Sequence, residues 1–190
     1  PELRDLSLAD SVAVDPHKWL YAPLEAGCAL VRDAAKLRGA FAYHAPYYHF
    51  GREVTNYFDY GPQNSRGFRA LKVWLALRQV GREGYQRMIG DDIELAARLL
   101  ANVTDHPELE AHGRGLSIVT FRYVPPRLAS LRGTPEGEQR LNAVNELLVD
   151  RIQKSGEAFV SQAIVDERFF LRACIVNFNT SATDVDALPG

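Results

Sequence analysis

The chain has 190 residues and a formal net charge of −2, with 46% apolar and 24% charged residues. That balance can fill a core, and it excludes the basic surface that would argue for nucleic acid or an anionic membrane as a partner. No apolar run approaches the length of a membrane span and no signal peptide is visible at the start, so the expected location is cytoplasmic.

Taken in order, Ser11-Val12-Ala13-Val14 is a short apolar run that reads as a strand. Gly27-Cys28-Ala29-Leu30-Val31-Arg32, bounded by Gly27 and Asp33, suits a second, buried strand. Cys28 here and Cys174 near the other end both sit in apolar runs, which predicts buried thiols of a reducing compartment rather than a disulfide framework. Asp33 to Gly39 is a helical turn or short helix. From Phe41 to Asn64 periodicity disappears. The segment carries Phe41, Tyr43, Tyr47, Tyr48, Phe50, Tyr57, Phe58 and Tyr60, punctuated by Pro46, Gly51, Gly61 and Pro62. A loop of that length reads as a lid or binding loop, or as an aromatic interface segment.

Ser65 predicts an N-cap for a helix beginning at Arg66, with Phe68, Leu71 and Leu75 on one stripe and Gly81 as the stop. A second helix is expected from about Gly84 to Asn102, ending before Asp105-His106-Pro107. Leu116 to Val124 reads as a strand, followed by a loop to Gly133. Pro135 to Lys154 is an amphipathic helix with Leu141, Val144, Leu148 and Ile152 on one face and Gly156 past its end. Phe159 to Val165 and Phe169 to Phe178 are two strands around an Asp166-Glu167-Arg168 turn. This last third describes a small α+β domain with an antiparallel sheet.

The residues with the most chemistry are Asp15-Pro16-His17-Lys18-Trp19-Leu20, directly after the first strand. Ligand crevices in open α/β sheets lie at the carboxyl ends of strands. A lysine held there, partly desolvated, is an amine ready to form a Schiff base. A solvated loop lysine is the plainer alternative. His44 and His49 lack a cysteine or carboxylate set at ligand spacing, so no metal is expected.

Ala9-Asp10-Ser11, the run Val12 to Asp15, and Pro16-His17-Lys18-Trp19-Leu20 together resemble the lysine segment of the group II pyridoxal-phosphate-dependent decarboxylases. That family includes the aromatic-L-amino-acid, histidine and glutamate decarboxylases. Gly39-Ala40-Phe41, Tyr47, Ser65 to Trp74, and Arg168-Phe169-Phe170-Leu171-Arg172 are similar to the same family in the same order. The resemblance implies an α/β chain: the end of the large domain of a fold-type I pyridoxal-phosphate enzyme over 1–82, with lysine loop and catalytic loop, and a small, truncated α+β domain over 83–190. In that family the first two strands belong to a mainly parallel sheet, the second antiparallel to its neighbour.

The implied cofactor is pyridoxal 5'-phosphate, held covalently by Lys18. The resemblance also places His17 and Ser11 at the cofactor. Asp15 stands where the animal aromatic decarboxylases have an asparagine on the phosphate. An ionised carboxylate cannot donate that bond, so a water bridge or a pairing with His17 stands as the alternative. Tyr47 aligns with a loop tyrosine that returns a proton to the substrate carbon, with Tyr48 as its competitor. Asn64 and Ser65 match a segment that approaches the phosphate of the neighbouring subunit in a homodimer. Arg66, Arg69 and Arg172 read equally as ion-pair residues.

Both ends of the chain are expected to be cut, making it the C-terminal half of a longer enzyme whose upstream half carries the partners of the cofactor ring. The implied activity is decarboxylation of a small-molecule L-amino acid, aromatic by overall likeness, to an amine and carbon dioxide. The alternatives are an aldehyde-forming relative, or an inactive fragment serving as a dimerisation module.

Overall fold

In a computed structural model of the chain, residues 3–48 and 54–190 are described. His49, Phe50 and Gly51 of the expected aromatic loop lie outside them. The chain forms two compact units, Pro1–Gly81 and Arg82–Gly190.

In the first unit, strand β1 (Ser11–Val14) pairs antiparallel with β2 (Cys28–Val31), Val12 opposite Leu30 and Val14 opposite Cys28. β2 is exposed rather than buried, and Cys28 with it. A two-stranded ribbon covers little of its own faces. Helix α1 (Ala34–Phe41) starts where Asp33 accepts the Ala35 N–H at 3.0 Å. It runs on through Phe41, and a 3-10 turn forms at Tyr57–Tyr60, both inside the segment expected to be irregular.

Helix α2 (Arg69–Asp105) breaks at Gly81, whose φ of 69° and ψ of 170° favour glycine. The expected start at Arg66 under a Ser65 cap is not what forms. Arg69 N–H bonds Gly67 O and Leu71 N–H bonds Phe68 O, so residues 66–68 turn into the helix instead of belonging to it. Gly67, a poor helix former, sits in that entry. Phe68, Leu71 and Leu75, the expected apolar stripe, are exposed.

The second unit holds a four-stranded antiparallel sheet in the order β3-β4-β6-β5: β3 (Leu109–Gly115), β4 (Ile118–Tyr123), β5 (Ser161–Val165) and β6 (Arg168–Cys174). β5 and β6 form the expected hairpin, with Asp166 and Glu167 at φ 49° and 62°. β3 has no counterpart among the expected strands, and it pairs with β4 around a bulge between Ala111 and Gly113. Cys174, the last residue of β6, is exposed, so neither thiol is buried in the chain.

Helix α3 (Pro135–Ser155) starts with Thr134 accepting the Gly137 N–H and ends at Gly156 in the left-handed region. A 3-10 turn at Pro126–Leu131 precedes it, in place of the expected loop. Val119, Phe121, Leu171 and Ala173 on the sheet pack with Ala96, Leu99 and Val103 of α2 and Val149 of α3. Helix α4 (Ala182–Ala187) adds Val185, under a capping box between Ser181 and Asp184. Asn145 closes the end of β4: its Oδ1 accepts Tyr123 N–H at 2.7 Å and its Nδ2 donates to Tyr123 O at 2.9 Å.

Candidate functional site

The seven residues singled out in the sequence all fall in the first unit, in three groups. Asp15, His17 and Lys18 share the turn that leaves β1. Pro16 fixes its own φ there. Lys18 N–H bonds Asp15 O at 2.9 Å, Tyr21 N–H bonds Lys18 O, and Ala22 N–H bonds Pro16 O. These bonds give the lysine a defined base while its side chain stays 67% exposed. Lys18 Nζ lies 2.7 Å from Asp15 Oδ2. The hydrogen bond from Lys18 holds the Asp15 carboxyl below the usual carboxylate range, against a small upward push from burial.

His17 points elsewhere. Its Nδ1 lies 2.6 Å from Ala26 O, so the ring donates there in the tautomer protonated at Nδ1. The turn is tied to α2 through the same loop. Arg69 donates from Nε to Glu25 Oε1 at 2.7 Å and from Nη2 at 2.5 Å, which lowers the Glu25 pKa. Arg69 is thus an ion-pair residue in this structure.

The second group is aromatic. Tyr47 and Tyr48 meet edge to face at 4.8 Å, and Tyr48 also packs on Phe58. Asn64 Nδ2 donates to Tyr48 Oη at 3.0 Å, so Asn64 meets the tyrosine segment. Tyr47 is 75% exposed. Close to this pair lies Asp59, 2% exposed, with Oδ1 3.0 Å from His44 Nε2 and Oδ2 3.7 Å from Arg38 Nε. Asp59 therefore joins α1, the tyrosine segment and the 3-10 turn. Sequence reasoning missed it, although an acid inside Tyr57-Phe58-Asp59-Tyr60 is the available signal for a buried partnered carboxylate.

Ser11 forms the third group. It lines a cleft of about 450 Å³ with Asp10, Arg32, Asp33 and Lys36. Arg32 Nη2 donates to the carbonyls of Ser7 and Ala9. Ser65 is exposed ahead of α2 and does not cap it. Among the described residues no cluster of three or more His, Cys, Asp or Glu could hold a metal ion, and no helix is long and apolar enough to cross a membrane.

The arrangement offers a reachable primary amine on a hydrogen-bonded turn, a carboxylate paired with it, and an exposed phenol on a separate segment. A family model described as the pyridoxal-dependent decarboxylase conserved domain matches residues 1–124. An aromatic-L-amino-acid decarboxylase of Bacillus atrophaeus is 33% identical over 189 residues, covering 96% of this chain and 38% of the relative. A 4-hydroxyphenylacetaldehyde synthase of Rhodiola rosea is 28% identical, covering 98% of this chain and 36% of the relative.

Among solved structures, Oryza sativa TDC with PLP and tryptamine superposes with a TM-score of 0.85 at 28% identity, over 98% of this chain and 38% of that one. Mouse CSAD gives 0.86 at 27%, over 99% and 40%. The chain thus spans little more than a third of the length of these relatives. Its α/β fold is the one those enzymes share over the matched part. The chain belongs to the pyridoxal-dependent decarboxylase family.

Proposed function

We propose that this chain forms part of a pyridoxal-phosphate-dependent enzyme that decarboxylates an aromatic L-amino acid to its amine. The observation that carries the reading is Lys18, a primary amine on a fixed turn at the carboxyl end of β1, in a chain of this family. The residues present fit the cofactor at its aldehyde end in that Lys18 is reachable and its main chain is held, although its side chain is 67% exposed in this chain rather than partly desolvated as expected. When bound, the cofactor supplies an electron sink for the pair left by the broken Cα–carboxylate bond.

In this reading Lys18 would hold the cofactor through its side-chain amine. His17 orients the turn through its bond to Ala26 O and would stand at the cofactor phosphate or its surroundings. Asn64 and Ser65 lie before α2 and would approach the cofactor phosphate of the neighbouring subunit in a homodimer, with Ser11 a contact to the cofactor of its own subunit. Tyr47 donates the proton that completes the amine, once the loop around it excludes water. The bond from Asn64 to Tyr48 supports that assignment, because it engages the competing phenol and leaves Tyr47 as the exposed one. Residues 1–82 then belong to the large cofactor-binding domain and residues 83–190 to the small one. The working enzyme includes polypeptide upstream of this chain, in a cytoplasmic homodimer.

A second reading has support among the relatives, which include aldehyde synthases as well as decarboxylases. The test is to incubate the enzyme with tyrosine, tryptophan and phenylalanine and follow carbon dioxide, amine, aldehyde and peroxide together. Amine and carbon dioxide in equal amounts, abolished by Lys18→Ala and lowered about 100-fold or more by Tyr47→Phe, is the expected result. Aldehyde with peroxide from the unmodified enzyme overturns the decarboxylase reading. A borohydride-reduced enzyme carrying no cofactor at Lys18 overturns both.

A further inference from the structure

Resting on the reading of Lys18 as the cofactor's amine, we propose that Asp15 is a positioning residue for that amine and does not serve the phosphate. Asp15 and Lys18 are joined twice across one turn, main chain to main chain at 2.9 Å and carboxylate to ammonium at 2.7 Å. Pro16 between them biases Asp15 towards extended backbone and removes one N–H from the turn. The other carboxylate oxygen lies beside Gly27, where an added Cβ would stand 3.9 Å from Oδ1. His17, the remaining candidate partner, directs its Nδ1 to Ala26 O.

The chemistry points the same way as the geometry. An ionised carboxylate only accepts hydrogen bonds and repels a phosphate, whereas an ammonium is its natural partner. Besides Lys18, the titratable side chain that faces Asp15 is His17, which also faces Glu25, and Glu25 in turn meets Arg69 and Lys72. Glu25 is occupied by Arg69, which leaves Asp15 as the carboxylate that meets Lys18. Nζ therefore has to leave Asp15 and shed a proton before it can attack a carbonyl carbon. The pair parks the lysine in one place and slows its reaction with stray electrophiles.

The test reads the amine directly. The protein and its Asp15→Asn and Asp15→Glu variants are treated briefly with acetic anhydride across pH 6–10, and acetylation of each lysine is followed by peptide mass spectrometry. In that reaction Nζ forms the new C–N bond, acetate leaves with the bonding pair, and the proton goes to water. Asp15→Asn is expected to speed Lys18 about two- to five-fold near neutral pH, the scale of an exposed ion pair. Lys36 should not change, and Asp15→Glu should stay near the parent. An unchanged Lys18 rate, or an equal rise at Lys36, overturns the proposal.

Borohydride trapping with pyridoxal and with pyridoxal phosphate gives the second arm. A gain in Asp15→Asn with both aldehydes supports an action through Lys18, and a gain confined to the phosphate-bearing one places Asp15 at the phosphate and overturns it. Failure of the underlying reading looks different: an enzyme with Lys18→Ala that still holds reducible cofactor would remove the role of Lys18 while leaving the acetylation rates as they are.

Discussion

Arg122 on β4 is 1% exposed, yet it carries a full charge. Its guanidinium reaches Glu138 at 2.5 Å and Glu110 at 3.0 Å, and it lies 5.5 Å from the centre of the Phe170 ring. Glu138 is held below the usual carboxylate range chiefly by the hydrogen bond from Arg122, although burial pushes it up. Removing one member of such a group strands the others. Arg122→Ala should cost about 3 kcal/mol in urea unfolding, and Arg122→Met distinctly less, because Met refills the space against Phe170 without a charge. Asp186 gives a pH-dependent counterpart. Arg98 and Asn102 bond its carboxylate and hold its pKa at about 2, below an ordinary value of 3.8. A lowered folded-state pKa adds stability that is complete above the unfolded value and lost as the pH falls through the folded one. The docking of α4 should therefore weaken between about pH 4 and pH 2, seen as faster amide exchange at Val185 than at Leu99. Asp186→Asn should flatten that dependence.

Among the elements, α3 is the most legible in the sequence and also meets a neighbouring main chain at close range. Gly137 in its first turn faces the main chain of Leu131, where an added Cβ would fall 1.9 Å from the carbonyl oxygen. Gly137→Ala should destabilise by roughly 1–3 kcal/mol, measured as a lower urea midpoint with an unchanged slope. The ends of α3 can be read because Thr134-Pro135 and Gly156 act locally, through a cap, a fixed φ and a left-handed residue. β3 cannot. Leu109-Glu110-Ala111-His112-Gly113-Arg114-Gly115 has no clean alternation, and its strand exists because β4 pairs with it and the bulge takes up the misfit. The start of α2 fails for a similar reason, since the serine signal at Ser65 is outweighed by the turn bonds at residues 67–71. At the site, the lysine turn is visible as a lysine after an apolar run. The partner of Lys18 is not, because Asp15 becomes its neighbour only when the turn closes. Asp59 is hidden likewise, as its partners come from α1 and from His44.

On the scale of the whole chain, burial is unevenly shared. The two apolar clusters among the described residues, one around Leu99, Phe121 and Leu171 and one around Val124, Leu128 and Leu141, lie within residues 82–190. Among the described residues up to Gly81, the buried hydrophobic side chains are Ala22, Ala26 and Ala45, while Leu30, Phe68, Leu71, Trp74 and Leu75 are exposed. Alanines bury little area each, and at about 25 cal/mol per Å² such a set cannot offset the entropy of ordering the chain around it. The site residues therefore stand on the less self-sufficient unit, and the sheet with its helices stands on its own. Residues 82–190, expressed alone, should give a single cooperative urea transition with a slope of about 1 kcal/mol per molar or more. Residues 1–81 alone should give a sloping, non-cooperative signal and little amide protection at β1 and β2. Adding a polypeptide that covers Leu71, Trp74 and Leu75 should restore protection in that unit, because the apolar side chains exposed on the first part of α2 are then buried. A cooperative transition in residues 1–81 by themselves would show that Asp59, Glu25–Arg69 and the turn bonds hold the site together without a core.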